Sequence, residues 1–102
     1  MPLPAVEDQQ LAAALKRSEN FSGLLQRMAE SSARLAAVSG LLPEGLRAGT
    51  RAGPLDDSGW VLLVDHNAGA AKLRQMLPLL TAALTAAGWA ELPVRVKVLP
   101  RN

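Results

Sequence analysis

Asp65 and His66 stand side by side in this chain of 102 residues. A carboxylate next to an imidazole is the pairing from which a general base and its orienting partner can be built. Adjacent residues at the end of an extended run point to different sides, however, and no serine or cysteine nucleophile is placed by motif near them. The simpler reading gives Asp65 and Asn67 to a turn and a helix cap and leaves His66 as a solvated loop residue. Asp56 and Asp57 could suggest a cation site, but they lie in Pro54-Leu55-Asp56-Asp57-Ser58-Gly59, which has the composition of a turn. There is no cysteine, which excludes disulfides, thiolate metal sites and cysteine nucleophiles. Zinc spacing, paired histidines and a phosphate-cradling loop are also lacking. Gly69, near a helix start, would let an anion approach, and close helix packing explains the same glycine equally well. The residues therefore suggest a protein that is not an enzyme and needs no cofactor and no metal.

Charge points instead to binding. The net charge is +2, but from His66 onward Lys72, Arg74, Arg95, Lys97 and Arg101 face only Glu91, which puts +4 there and −2 in residues 1–65. Such asymmetry suits a polyanion or an acidic partner on the C-terminal side. Arginine, planar and bidentate, outnumbers lysine and is the better phosphate ligand. A GC-rich coding bias accounts for the same excess, since Ala and Leu are also abundant. The candidate nucleic-acid-binding residues are Arg47, Arg51, Lys72, Arg74, Arg95 and Lys97. The candidate partner-binding residues are Trp60, Lys72 and Arg74. Trp60 could stack on a base only if its ring were exposed. Its own strand is apolar on both faces, so periodicity leaves its direction open.

The elements that must position these residues follow from pattern. Gly59 to Asp65 is a short, β-branched apolar run and reads as a buried strand. Leu46 to Gly53 alternates with period two and reads as a second strand, joined to the first through the Pro54–Gly59 turn as an antiparallel hairpin. Asn67 then caps a helix whose Leu73, Leu77, Leu80 and Leu84 share one face. Pro78 predicts a break near Leu77, giving two helices, and Gly88 ends the second. Val94, Val96 and Val98 alternate with Arg95, Lys97 and Leu99 in a final strand. Upstream, Met1 to Pro4 reads as a frayed tail, and residues 1–20 as an arm or short helix over Val6–Ser18. A longer helix runs from Asn20 or Ser22 to about Ser39, with Leu25, Met28, Leu35 and Val38 as its core stripe. Glu30 and Arg34 form an i, i+4 pair on its surface, and Gly40 ends it in a left-handed conformation. The fold class is a small α+β domain over residues 21–102, with a small mixed sheet and helices on one face. No stretch approaches the ~20 apolar residues of a membrane span, and no signal-like N-terminus is present. The expectation is a cytoplasmic protein with no membrane contact.

The expected order, α-β-β-α-α-β, is that of a type II KH-like fold. The run Gly59-Trp60-Val61-Leu62-Leu63-Val64-Asp65-His66-Asn67-Ala68-Gly69-Ala70-Ala71-Lys72-Leu73-Arg74-Gln75 resembles the signature of the DciA family. The run from Ala70 to Leu80 is especially similar to its short members, and the resemblance extends over about Phe21 to Pro100. It implies a bacterial DNA-replication accessory protein that binds the replicative DNA helicase, assists its loading on DNA, and binds DNA weakly and without sequence preference. A homodimer is compatible with it. The chain departs from longer members in having no Trp in Leu35–Gly40. It also lacks the Gly-x-x-Gly loop by which KH domains clamp nucleic acid, with Leu77-Pro78-Leu79 at the corner instead. A KH-like RNA-binding or ribosome-associated interaction module is the alternative. The expected helicase contact combines the Lys72–Arg74 end of the helix with the open hairpin edge, or else uses Val6–Ser18.

Overall fold

In the computed structural model the backbone is described from Ala5 to Arg101 and the side chains from Gln9 to Arg101; the expected tail at Met1–Pro4 lies outside the described residues. One helix, α1, runs unbroken from Ala5 to Val38. The expected division between a short helix ending at Ser18 and a longer one starting at Asn20 or Ser22 is absent, and Ser18-Glu19-Asn20 lie within α1. Those residues cost only a few tenths of a kcal/mol each relative to Ala in a helix, and no proline falls between Ala5 and Val38. The helix ends because Pro43 disfavours helical backbone at the residue before it. Ser39–Leu41 tighten into a 3₁₀ turn and Leu42 is extended. Gly40 does not adopt the left-handed conformation expected of it.

Of the predicted core stripe of α1, Val38 is buried and Leu35 packs against the core, but its N-terminal half is displaced. Leu25 and Met28 are exposed, and the helix turns Ser31, Arg34 and Val38 inward. The Trp60 indole N–H donates to the Ser31 hydroxyl at 2.8 Å, which donates to the Gly53 carbonyl at 2.6 Å. Arg34 is only 2% exposed. Its guanidinium lies 5.2 Å from the Trp89 ring centre and 6.0 Å from that of Trp60, and it donates to the Ala90 carbonyl at 3.0 Å. It makes no ion pair with Glu30 among the described residues.

A short helix, α2 (Glu44–Ala48), follows and takes in Leu46–Ala48, where strand was expected. Pro43 opens it, accepting from the Arg47 N–H at 2.8 Å. The hairpin is present but shifted: β1 is Thr50–Asp56 and β2 is Gly59–Val64, paired antiparallel. The ladder is irregular between Ala52 and Leu55, and this bulge lets Pro54, which has no N–H to donate, sit inside a strand. A side chain at Gly53 would stand 2.7 Å from the Val61 carbonyl oxygen. The turn is closed by Asp56, whose carboxylate accepts from the N–H groups of Ser58 at 2.8 Å and Gly59 at 3.2 Å.

Helix α3 spans Asn67–Ala86 as one element, with Pro78 inside it. The expected break is absent because Pro78 is exposed and a single missing backbone bond is tolerated in so long a helix. The Thr81 hydroxyl donates to the carbonyls of Leu77 at 2.9 Å and Pro78 at 3.2 Å. The helix closes as predicted at Gly88 (φ +93°): Gly88 N–H donates to the Thr85 carbonyl and Trp89 N–H to that of Leu84, both at 3.0 Å. The chain then returns as β3 (Val94–Val98), parallel to β2, giving a three-stranded mixed sheet in the order β1-β2-β3. The core collects Val38 and Leu42, then Leu55, Trp60, Leu62, Val64 and Val96 of the sheet, and Ala70, Leu73, Leu80 and Leu84 of α3. Leu77 and Leu63 are only half-buried. The architecture is α+β, and no helix among the described residues is long and apolar enough to cross a membrane.

Candidate nucleic-acid interface

The pleat of the sheet sorts its side chains. Trp60, Leu62 and Val64 face the core, so Val61 and Leu63 lie on the opposite face. The register then builds a basic surface around them. Arg51 pairs with Leu63, Leu63 with Lys97, and Val61 with Arg95. Arg51, Arg95 and Lys97 thus share the face turned away from the core, the first two strand-spacings from Lys97. Arg95 and Lys97 are exposed, and neither makes an ion pair among the described residues.

Arg74 reaches this surface from α3. Its guanidinium donates to the Val96 carbonyl at 3.0 Å, on the outer edge of β3. Together with Leu77, Val94, Arg95, Val96 and Lys97 it lines an open groove of about 350 Å³. Three cationic side chains therefore converge on the β3 edge, with an apolar floor between them.

Of the other candidates, Arg51 shares the face and the rest lie elsewhere. Arg51 is partly committed: it donates to the Leu99 carbonyl and stands 3.5 Å from the Asp65 carboxylate, which Arg101 also approaches at 3.3 Å. Arg47 belongs to α2 and ties the end of α1, donating to the carbonyls of Ser39 and Leu42, each at 2.9 Å. Lys72 is exposed on α3 and lines a separate depression of about 200 Å³ with Leu46, Asp65, His66 and Gly69. Trp60 is 1% exposed and hydrogen-bonded to Ser31, so in this conformation it can neither stack on a base nor meet a partner. The hairpin edge predicted to be open is covered, because α1 lies along β1 and Ser31 bonds Gly53 there; the uncovered edge is that of β3.

The Asp65–His66 pair is resolved by geometry. Asp65 turns to Arg51 and Arg101, while His66, not Asn67, caps α3: its Nδ1 accepts from the Gly69 N–H at 3.0 Å. Asp56 acts as the turn former expected. The Ser58 hydroxyl, the N–H of Ser58 and that of Gly59, with the Arg95 charge nearby, hold its carboxyl below the usual carboxylate range. No cluster of metal-ligating side chains occurs among the described residues.

Arg101, beyond Pro100, escaped the sequence reading as a partner of Asp65, although its place just past a basic strand was a signal for it. Compared with family models, curated proteins and solved structures, the chain finds no match in any of the three.

Proposed function

We propose that this protein binds the phosphate backbone of nucleic acid weakly and without sequence preference, and serves as an accessory factor that helps load the replicative helicase on DNA. The observation that supports binding is the convergence of Arg74, Arg95 and Lys97 on the β3 edge, with Arg51 across β2. Guanidinium and ammonium groups neutralise phosphates and release counterions, so affinity falls steeply with salt. No helix projects from this face to enter a groove and read base edges, so contacts to phosphate would dominate. The helicase assignment rests on the resemblance of Gly59–Leu80 to the DciA family alone, since the elements run α-α-β-β-α-β and not in the expected KH-like order α-β-β-α-α-β. With no nucleotide-binding loop in the sequence, loading would draw on binding energy alone, favouring a helicase conformation that admits a strand. Apart from the Val96 carbonyl, which Arg74 occupies, the outer edge of β3 would offer its backbone groups to such a partner.

Anisotropy titrations of labelled single-stranded DNA at several salt concentrations test the binding. The double variant Arg95→Ala, Lys97→Ala should weaken it and reduce the log–log salt slope by about 1.4, at about 0.7 per contact on a single strand; an unchanged slope refutes the site. Calorimetry against the purified replicative helicase tests the second part, and absence of both a complex and any stimulation of loading refutes it.

A further inference from the structure

Among the described residues, α1 from Gln9 to Glu30 packs against little of the chain. Every described residue from Gln9 to Glu30 is exposed except Gly23. Leu11, Leu15, Phe21, Leu24, Leu25 and Met28 are 47–60% exposed. They are not scattered. Leu11, Ala14, Ser18, Phe21, Leu25, Met28, Ser32 and Leu35 follow one another at alternating spacings of three and four, the a/d pattern of a two-stranded helix seam. Leu15 and Leu24 border the seam. Charged and amide side chains such as Lys16, Glu19, Gln26 and Glu30 lie on the other side of the helix.

The dimensions of the molecule show the same deficit. Its radius of gyration is 18.6 Å and its surface 7003 Å². A compact monomer of this size would have about 13 Å and about 5,500 Å². The six half-exposed side chains leave on the order of 600 Å² of apolar surface per chain, so a two-fold pair would bury about 1,200 Å², the size at which specific interfaces begin. A helix takes most of its stability in water from packing its apolar face, and this one extends for about 50 Å.

The seam continues into the body. Beside its C-terminal half, Leu24, Met28, Ser32, Pro54 and Leu63 line an apolar groove of about 380 Å³ between α1 and the sheet. A free apolar helix would fill it, and the projecting half of α1 in a second copy is one. A parallel pair would lay free half on free half and groove beside groove. An antiparallel pair satisfies both at once.

We infer that α1 is the interface of an antiparallel homodimer, in which the projecting half of each helix lies over the groove of the other copy. In the register centred on Gly23, seam positions meet seam positions: Leu11 opposite the partner's Leu35, Ala14 opposite the partner's Ser32, Ser18 opposite the partner's Met28, and Phe21 opposite the partner's Leu25. The two basic β3 edges then belong to one assembly. The assignment does not depend on helicase or nucleic-acid binding.

Sedimentation equilibrium of the full chain over micromolar concentrations should give twice the chain mass of 10.7 kDa. Phe21→Glu with Leu25→Glu, both at exposed positions, should halve that mass while leaving the near-ultraviolet circular dichroism of Trp60 and Trp89 intact. Because the chain has no cysteine, orientation can be read by oxidation. Ala14→Cys mixed with Ser32→Cys should cross-link as a heterodimer, and Ala14→Cys alone should not. A monomer at all concentrations, a dimer indifferent to Phe21→Glu and Leu25→Glu, or cross-linking of Ala14→Cys to itself would each overturn the inference. So would a monomer whose α1 stripe is instead bound by the helicase.

Discussion

Replacing Ser31 by alanine should cost far more than a serine on a helix usually does. The residue is 3% exposed and holds two bonds, accepting from the Trp60 indole and donating to the Gly53 carbonyl. Without it the buried Trp60 N–H has no acceptor, at a cost of about 1–3 kcal/mol, whereas the half-buried Gly53 carbonyl loses about 1 kcal/mol. The expected total is roughly 2–4 kcal/mol. Trp60→Phe should also destabilise, through the lost volume and the weakened contact with Arg34. The double variant is the decisive one. With no indole N–H left to strand, Ser31→Ala should cost about 1–2 kcal/mol less in the Trp60→Phe background than in the natural chain. The Arg34 contact is weakened in both variants that carry Trp60→Phe, so to first order it drops out of this difference. Urea unfolding with a constant m-value gives the four free energies, and Trp89 remains as the fluorescent reporter. Additivity within about 0.3 kcal/mol would show that Ser31 does not hold Trp60 and that α1 is fastened to the sheet in some other way.

Gly59→Ala should lower stability by roughly 2–3 kcal/mol, measured by denaturation, because φ is +153° and the new Cβ would lie 2.7 Å from the Pro93 carbonyl oxygen. His66→Ala should cost about 1 kcal/mol through the lost cap of α3, and His66→Asn should restore most of it, since an Asn side chain caps equally well. Asp56→Asn keeps an acceptor in the turn but removes the charge. The folded carboxyl titrates below its usual value, so its stabilisation is present above the unfolded pKa of about 4 and is lost as pH falls through the folded value. The stability gap between the natural chain and Asp56→Asn should therefore be full at neutral pH and close on acidification; a gap independent of pH refutes the assignment.

Those parts of the fold that rest on pattern were legible. The apolar run Gly59–Val64 is the buried strand its length and composition favoured, the Leu73, Leu80 and Leu84 face stands with Leu77 at its margin, and the Val94–Val98 alternation stands as read. What pattern could not supply was polar burial. Ser31 and Arg34 look like surface residues in sequence, yet they face the core, because an indole needs an acceptor and a guanidinium can stack on two rings. That inversion is also why Leu25 and Met28 were assigned to the wrong side. Local breakers misled in both directions: Pro78 and Asn20 do not stop their helices, whereas Pro43 stops one and starts another. At the candidate site, Arg95 and Lys97 were readable from alternation alone. The part of Arg74 on the β3 edge, and the diversion of Arg47 to α2, depend on tertiary placement.

The parallel pairing of β2 with β3 has a consequence for synthesis. A ribosome delivers β1 and β2 first, and they can close at once as a local hairpin. The other edge of β2 must wait while everything from Asp65 to Pro93 is made, since parallel neighbours need a crossover. At cellular elongation rates that delay is on the order of seconds. Throughout it, Trp60-Val61-Leu62-Leu63-Val64 presents an open backbone row with no charge and no proline to guard it. The nascent chain is therefore most vulnerable in mid-translation, and a chaperone that binds apolar strands would find its target there. Substitutions in β3 that hardly change the finished protein should still lower its soluble yield.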